Sequence, residues 1–349
     1  NIKSGIKERK LKMKVILDIL LLLVGFLFLI KGADFFVDGS VAVARRLKVP
    51  SIVVGLTIVA VGTSLPELAV SSFASAKGSN AIAVSNVDGS NTFNLLMVLG
   101  VTALFASIKV KQSILKREFP FLAIISLILI FLLGDALWFG DIIGNVNLLK
   151  FSNGNATVGS VGRIDGILLL LLFVGFIAWT ISYALRERTQ GDDGDILMSK
   201  SKCVWFILGG IVAIVVGGEV VVDCAKSLAL AVGMSETLVG LTVVAMGTSL
   251  PELVTSAVAA KKGEADLAVG NVVGSNISNI LLVLGVSATI SPVTVTLNNA
   301  IDAVVALLVA VIVYVVAITS KKIERKEGIL LIFIYCLYMA YIICRQYMA

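Results

Sequence analysis

The chain has 349 residues, 58% hydrophobic and only 15% charged, with a mean hydropathy of +1.01 and a formal net charge of +6. Average globular domains are about half apolar and about a quarter charged, so a soluble globular protein is excluded. Lys and Arg sit in short connections between apolar runs, which argues against a nucleic-acid surface, and the absence of His removes the usual metal ligand and neutral-pH proton shuttle.

The apolar runs are continuous and long enough to cross a bilayer, which takes about 20 residues, and they lack the alternation of a membrane β-barrel. The expected fold class is therefore an all-α polytopic membrane protein. Residues 1–14 read as a basic tail, and the first span is expected over 15–33 with an interfacial connection at 34–48. Span two covers 51–76 and is interrupted at Gly62–Pro66; span three covers 80–107 and is interrupted near Gly89. A basic loop leads to span four (119–133), a Gly/Asn-rich polar stretch (135–165) and span five (167–185). A polar linker, 186–202, separates this first repeat (15–185) from a second (203–349), whose spans fall at 203–222, 236–260, 266–291, 300–319 and 328–344.

Five spans per half is odd, so the halves enter the membrane from opposite sides: ten transmembrane helices form two inverted five-helix repeats. With the N-terminus outside, the inner loops hold 17 Lys and Arg against five in the outer loops and C-terminal tail, although the N-terminal tail adds six on the outside. Asn155-Ala-Thr157 is a glycosylation triplet in an outer loop on this topology. The cysteines (Cys203, Cys224, Cys336, Cys344) lie in or beside spans without ligand spacing and read as buried thiols.

The repeats carry the chemistry. Gly62-Thr-Ser-Leu-Pro-Glu67, then Asn86-Val-Asp-Gly-Ser-Asn91 and Asn94, recur as Gly247-Thr-Ser-Leu-Pro-Glu252, then Asn271-Val-Val-Gly-Ser-Asn276 and Asn279. The offset is 185 residues throughout, and 29 of the 47 positions from 55 to 101 match their partners. Thr63, Ser64 and Glu67, with Ala60, share one helical face, as do Thr248, Ser249 and Glu252 with Ala245. Pro66 and Pro251 remove an amide and leave carbonyls free beside each Glu. Ser90 and Asn94, with Asn86, recur every four residues on one face of span three; Ser275, Asn279 and Asn271 do so in span eight. Asp88 projects about 200° away from Ser90 and is expected, like Asn86 and Asn271, to support the site from behind.

Two carboxylates among hydroxyl, amide and carbonyl oxygens suit a hard cation such as Ca²⁺, and a fixed charge of −2 can exchange one Ca²⁺ for Na⁺ ions. A single Glu in a span is often just a hydrogen-bonded structural carboxyl, and membrane Ser and Thr often serve packing. Repetition beside two broken helices favours a site. Asp34, Asp38, Glu219 and Asp223 also match between repeats but fall at span ends, where solvated or capping roles are expected.

At these motifs the chain resembles the sodium/calcium exchanger family of the cation/calcium antiporter superfamily, in its prokaryotic form. The resemblance implies antiport of Ca²⁺ against Na⁺ by alternating access, with Glu67 and Glu252 as the Ca²⁺ carboxylates. Thr63, Ser64, Thr248, Ser249, Ser90, Ser275 and the carbonyls of Ala60 and Ala245 would complete the ion sites. Potassium-dependent and archaeal relatives carry Asp where this chain has Asn279, so independence from K⁺ is expected. Asp88 stands where the second repeat has Val273, and the linker leaves no room for a regulatory Ca²⁺-binding domain.

The expected partners are therefore Ca²⁺, Na⁺ and the lipid of a plasma membrane, with no cofactor, no enzymatic activity and a monomeric transport unit. A proton/calcium antiporter would use the same glutamates, and a passive cation channel the same oxygens. The inverted repeat with broken helices favours a transporter over a channel.

Overall fold

The computed structural model describes residues 2–78, 81–133, 157–186, 198–234 and 245–348, and they are predominantly helical. The proline-free helix α1 (Ile2–Leu47) runs 46 residues. It continues through Asp34 and Asp38, so the connection expected at 34–48 is the last third of the same helix. At about 1.5 Å per residue it is longer than a hydrocarbon core of about 30 Å. Next come α2 (Ser51–Thr63) and α3 (Leu65–Ala76), bent by 45° at the break between them. The following helix, α4, runs over Ala81–Phe93, widens into a π turn at Asn94–Val98 and ends with Leu99–Phe105. Strand β1 (Ile108–Lys109), α5 (Phe119–Leu133), β2 (Thr157–Val161) and α6 (Arg163–Arg186) complete the first half.

The second half repeats this order: α7 (Lys200–Ala231), α8 (Ala245–Gly247), α9 (Leu250–Lys261), α10 (Ala265–Ile290), β3 (Val293–Thr296), α11 (Leu297–Ser320), β4 (Lys322–Ile323) and α12 (Arg325–Met348). Among the described residues six helices are long and apolar enough to cross a membrane, or seven if the bent pair counts as one span. The first part of the expected span at 236–260, most of the 186–202 linker and Asn155 of the glycosylation triplet lie outside the described residues.

The interruption expected at Gly89 is not there. α4 stays helical through Gly89, as α10 does through Gly274, and each departs from regular geometry one turn later, at Asn94–Val98 and Asn279–Val283. A glycine inside a helix costs only about 1 kcal/mol, too little to force a break in a packed segment. The π turns instead start at an asparagine of the repeated motif, and such turns recur at functional sites.

Strand pairing joins the halves reciprocally. Ile108 pairs with Ile323 between β1 and β4, and Val161 pairs with Val293 between β2 and β3, both antiparallel. α1 and α7 pack antiparallel through glycines: a Cβ on Gly32 would sit 2.9 Å from the Ile214 amide nitrogen, and one on Gly217 would sit 2.8 Å from the Gly25 carbonyl. Small residues at such crossings let membrane helices approach where lipid gives no hydrophobic drive. α10 is enclosed almost completely, whereas α1, α6, α7, α11 and α12 expose Leu, Ile, Val and Phe on their outer faces, as lipid-facing helices do. Cys203 and Cys224 are buried, but Cys336 and Cys344 are exposed on α12, against the expectation that all four are buried.

Candidate ion site

The two helix breaks meet at the centre of the molecule. Pro66 and Pro251 sit in the first turns of α3 and α9, and having no N–H they leave the carbonyls of Gly62 and Gly247 without the donor that a continuous helix provides. The carbonyl of Ala60, expected to help complete the ion sites, accepts the Ser64 amide at 3.1 Å and lies 3.3 Å from Thr63 Oγ1 and 3.5 Å from Ser275 Oγ. Ala245, at the matching place in the other repeat, is the first described residue of α8.

Glu67 and Glu252 follow the breaks by one turn, and neither has any solvent-exposed surface. Each is held by the serine two residues before the proline of the opposite repeat. Ser249 Oγ donates to Glu67 Oε1 at 2.9 Å, and Ser64 Oγ donates to Glu252 Oε1 at 3.2 Å. The serines of the third helices add to this: Ser90 donates to Glu67 Oε1 at 3.4 Å, and Ser275 lies against Glu252. The other oxygen of each carboxylate, Oε2, is buried without a hydrogen-bond partner, and neither Glu has a cationic partner among the described residues.

Asn86 and Asn271 are placed more intimately than expected. Asn271 Nδ2 donates to Ser256 Oγ at 2.9 Å while its Oδ1 accepts from Thr63 Oγ1 at 3.0 Å. Asn86 likewise donates to Ser71 at 2.9 Å and accepts from Thr248 at 3.4 Å. Each asparagine thus has its amide end fixed within its own repeat and its oxygen turned to the other. Ser71 and Ser256 were not singled out in the sequence, although they match across the 185-residue offset one turn beyond each Glu.

Asn94 and Asn279 are buried but make no hydrogen bond to either glutamate. Asn279 Nδ2 donates to Asn91 Oδ1 at 3.1 Å, while both polar atoms of Asn94 and of Asn276 are unpartnered. Asp88 faces away from the glutamates. Its neighbours are Asp302 on α11 and Tyr338 on α12, and Arg345 of α12 forks the Asp302 carboxylate with two bonds of 2.8 Å. Both Asp88 oxygens are buried without partners. That cluster left no sequence signal, because Asp302 and Arg345 lie outside the repeated motif.

One flank of this centre is open. A cavity of about 730 Å³ reaches Pro66, Thr248 and Pro251, with Leu68, Ala69 and Ser72 of α3 on one wall and Val215, Gly218, Glu219, Val222 and Asp223 of α7 on the other. The repeat-related surfaces, α1 against α9, are packed dry: Ala33 and Val37 have no exposed surface and belong to one apolar cluster with Leu250, Val254 and Val258. Two halves built from one pattern are therefore caught in unequal positions. Among the described residues no three His, Cys, Asp or Glu side chains cluster, so the centre is a pair of carboxylates within neutral oxygens, a donor set for hard cations.

Comparison with known proteins agrees with this chemistry. A family profile described as "Sodium/calcium exchanger protein" matches residues 17–182 and 202–344. The chain is 32% identical over 344 residues to the sodium/calcium exchanger MaX1 of Methanosarcina acetivorans, covering 93% of this chain and 98% of that protein. It is 36% identical over 281 residues to the inner membrane protein YrbG of Escherichia coli, covering 78% of this chain and 79% of the relative. A solved structure of the sodium-calcium exchanger NCX_Mj, soaked with 10 mM Na⁺ and zero Ca²⁺, superposes with a TM-score of 0.77 at 30% identity, covering 93% of this chain and 99% of that one. Buried paired glutamates, reciprocal halves and these matches together make the chain an integral membrane transporter rather than an enzyme, and a member of the sodium/calcium exchanger family.

Proposed function

We propose that the protein exchanges Na⁺ for Ca²⁺ across a cell membrane by alternating access, as a monomeric transport unit of ten spans in two inverted five-helix halves (15–185 and 203–349). The observation that carries this is the pair of fully buried glutamates, each with one unpartnered oxygen and no cationic neighbour among the described residues. A carboxylate at membrane depth costs about 2.5–3.5 kcal/mol even on mild scales, and two that repel each other need cations between them. Glu67 and Glu252 supply the charge. Thr63, Ser64, Thr248, Ser249, Ser90, Ser275 and the carbonyls of Ala60 and Ala245 supply neutral oxygens, and Asn86 and Asn271 hold the threonines in place.

Reciprocal strand pairing supports the inverted arrangement, because each half's β-strand after its third long segment joins the strand before the last helix of the other. With the N-terminus outside, the cavity between α3 and α7 opens outwards and the dry α1–α9 contact closes the inner side. Exchanging those two states carries ions across.

Asn at both 94 and 279 keeps the site charge at −2, leaving no electrostatic reason to hold K⁺ beside Ca²⁺. The deciding experiment is ⁴⁵Ca²⁺ uptake into proteoliposomes with an outward Na⁺ gradient, a pH gradient or neither, each with and without K⁺. Na⁺-driven uptake at equal rates in both media is expected. An absolute need for K⁺, or uptake driven by the pH gradient alone, replaces this reading with potassium-dependent or proton-coupled exchange. Flux that never saturates and follows no counter-ion identifies a channel.

A further inference from the structure

The end of the molecule opposite the cavity is closed by charge as well as by apolar packing. Lys262, just beyond α9, places Nζ 2.7 Å from Asp38 Oδ1, 3.3 Å from Asp34 Oδ1 and 3.1 Å from the Asp34 carbonyl, tying α9 to α1. Moving each residue by the 185-residue offset gives Glu219 for Asp34, Asp223 for Asp38 and Lys77 for Lys262. All three charges keep their sign. Yet their circumstances differ completely: Glu219 and Asp223 are exposed on the cavity wall, Lys77 is exposed just past α3, and none of the three has an ion-pair partner among the described residues.

A triad that is closed in one repeat and spread across an open cavity in the other is what a two-state device shows when caught in one state. We infer that Lys262 and Lys77 are reciprocal gate residues: Lys262 on Asp34 and Asp38 shuts one end of the pathway in this conformation, and Lys77 on Glu219 and Asp223 shuts the cavity end in the opposite one. Opening one end releases the lysine that held it, while closing the other end pairs its counterpart, so the number of ion pairs is the same in both states. Exposed pairs of this kind are weak, which suits contacts that must break in every cycle. The acidic pair has a second use while its lysine is away, since it draws cations into the mouth of the cavity.

The inference rests on the alternating-access reading above, and its test separates the two. Single cysteines at Ser72 on the cavity wall and at its counterpart Ala257, in full-length protein with the four native cysteines replaced by alanine, report which end is open to a polar maleimide in detergent solution. Lys262→Gln is expected to speed labelling of Ala257→Cys and slow that of Ser72→Cys, changing their ratio by roughly three- to tenfold. Lys77→Gln is expected to move the ratio the other way, and Lys262→Arg to leave it near that of the parent protein. A purely structural role for either lysine would lower thermal stability without reciprocal changes in labelling. Unchanged ratios in both Gln variants, with Na⁺-driven Ca²⁺ uptake intact, overturn the gate and spare the exchanger. Absence of any such uptake in the unsubstituted protein overturns the exchanger reading itself.

Discussion

At the scale of single residues, the two glutamates and the aspartate cluster behind them face opposite tests. Glu67→Gln and Glu252→Gln each remove half the fixed charge of the centre while keeping its shape and hydrogen bonds. Each variant is expected to elute as intact protein by size exclusion and to lose Ca²⁺ uptake; near-normal uptake in either would refute a two-carboxylate site. Asp88→Asn should leave exchange running, because its neighbours are Asp302 and Tyr338 rather than the glutamates. Arg345→Met strands the buried Asp302 carboxylate that it forks at 2.8 Å, a loss of about 3 kcal/mol for a buried pair broken on one side. Its melting temperature in detergent is expected to fall by several degrees, and Asp302→Asn in the same protein should recover most of the loss. No recovery would mean that the guanidinium acts elsewhere.

Helices and their breaks show what sequence could and could not reveal. The breaks beside Pro66 and Pro251 were readable because proline lacks a donor, and so were the faces that carry Thr63, Ser64 and Glu67 and their counterparts. The π turns were not, since Asn94–Val98 and Asn279–Val283 are ordinary apolar residues after an asparagine; only the packing around them selects the wider turn. Gly89 misled in the other direction: a Cβ there would meet nothing within 4 Å, so the residue marks neither a break nor a close approach. Asp34 and Asp38 looked like a span end because charge is costly in lipid, but Lys262 meets both and the helix continues past them. Glycines at the α1–α7 crossing give the matching prediction. Gly32→Val, whose Cβ would fall 2.9 Å from a backbone nitrogen, should give aggregated or poorly folded protein by size exclusion, while Gly175→Ala, with open space around it, should elute normally. Equal behaviour of the two would show that the crossing tolerates separation.

For the molecule as a whole, the unequal flanks imply that some contacts move and others stay. The strand pairs are expected to belong to the fixed part. Ser160→Cys with Thr294→Cys, register partners in β2 and β3, should cross-link under oxidation and leave Na⁺-driven Ca²⁺ uptake near its normal rate. Ser72→Cys with Val215→Cys, across the cavity, should stop uptake when joined by a short bifunctional reagent and recover when the link is cleaved. Loss of uptake from the first link, or indifference to the second, would assign the motion to other surfaces. The reciprocal strand pairing also has a consequence for how the chain is made. β1 leaves the ribosome before its partner β4 by nearly the whole length of the second half, so the edge of β1 stays unmatched while the intervening helices are made. An edge left open that long invites pairing with another nascent copy. A pause in translation between the two strands is therefore expected to favour misassembly at a point where the whole first half has already been made.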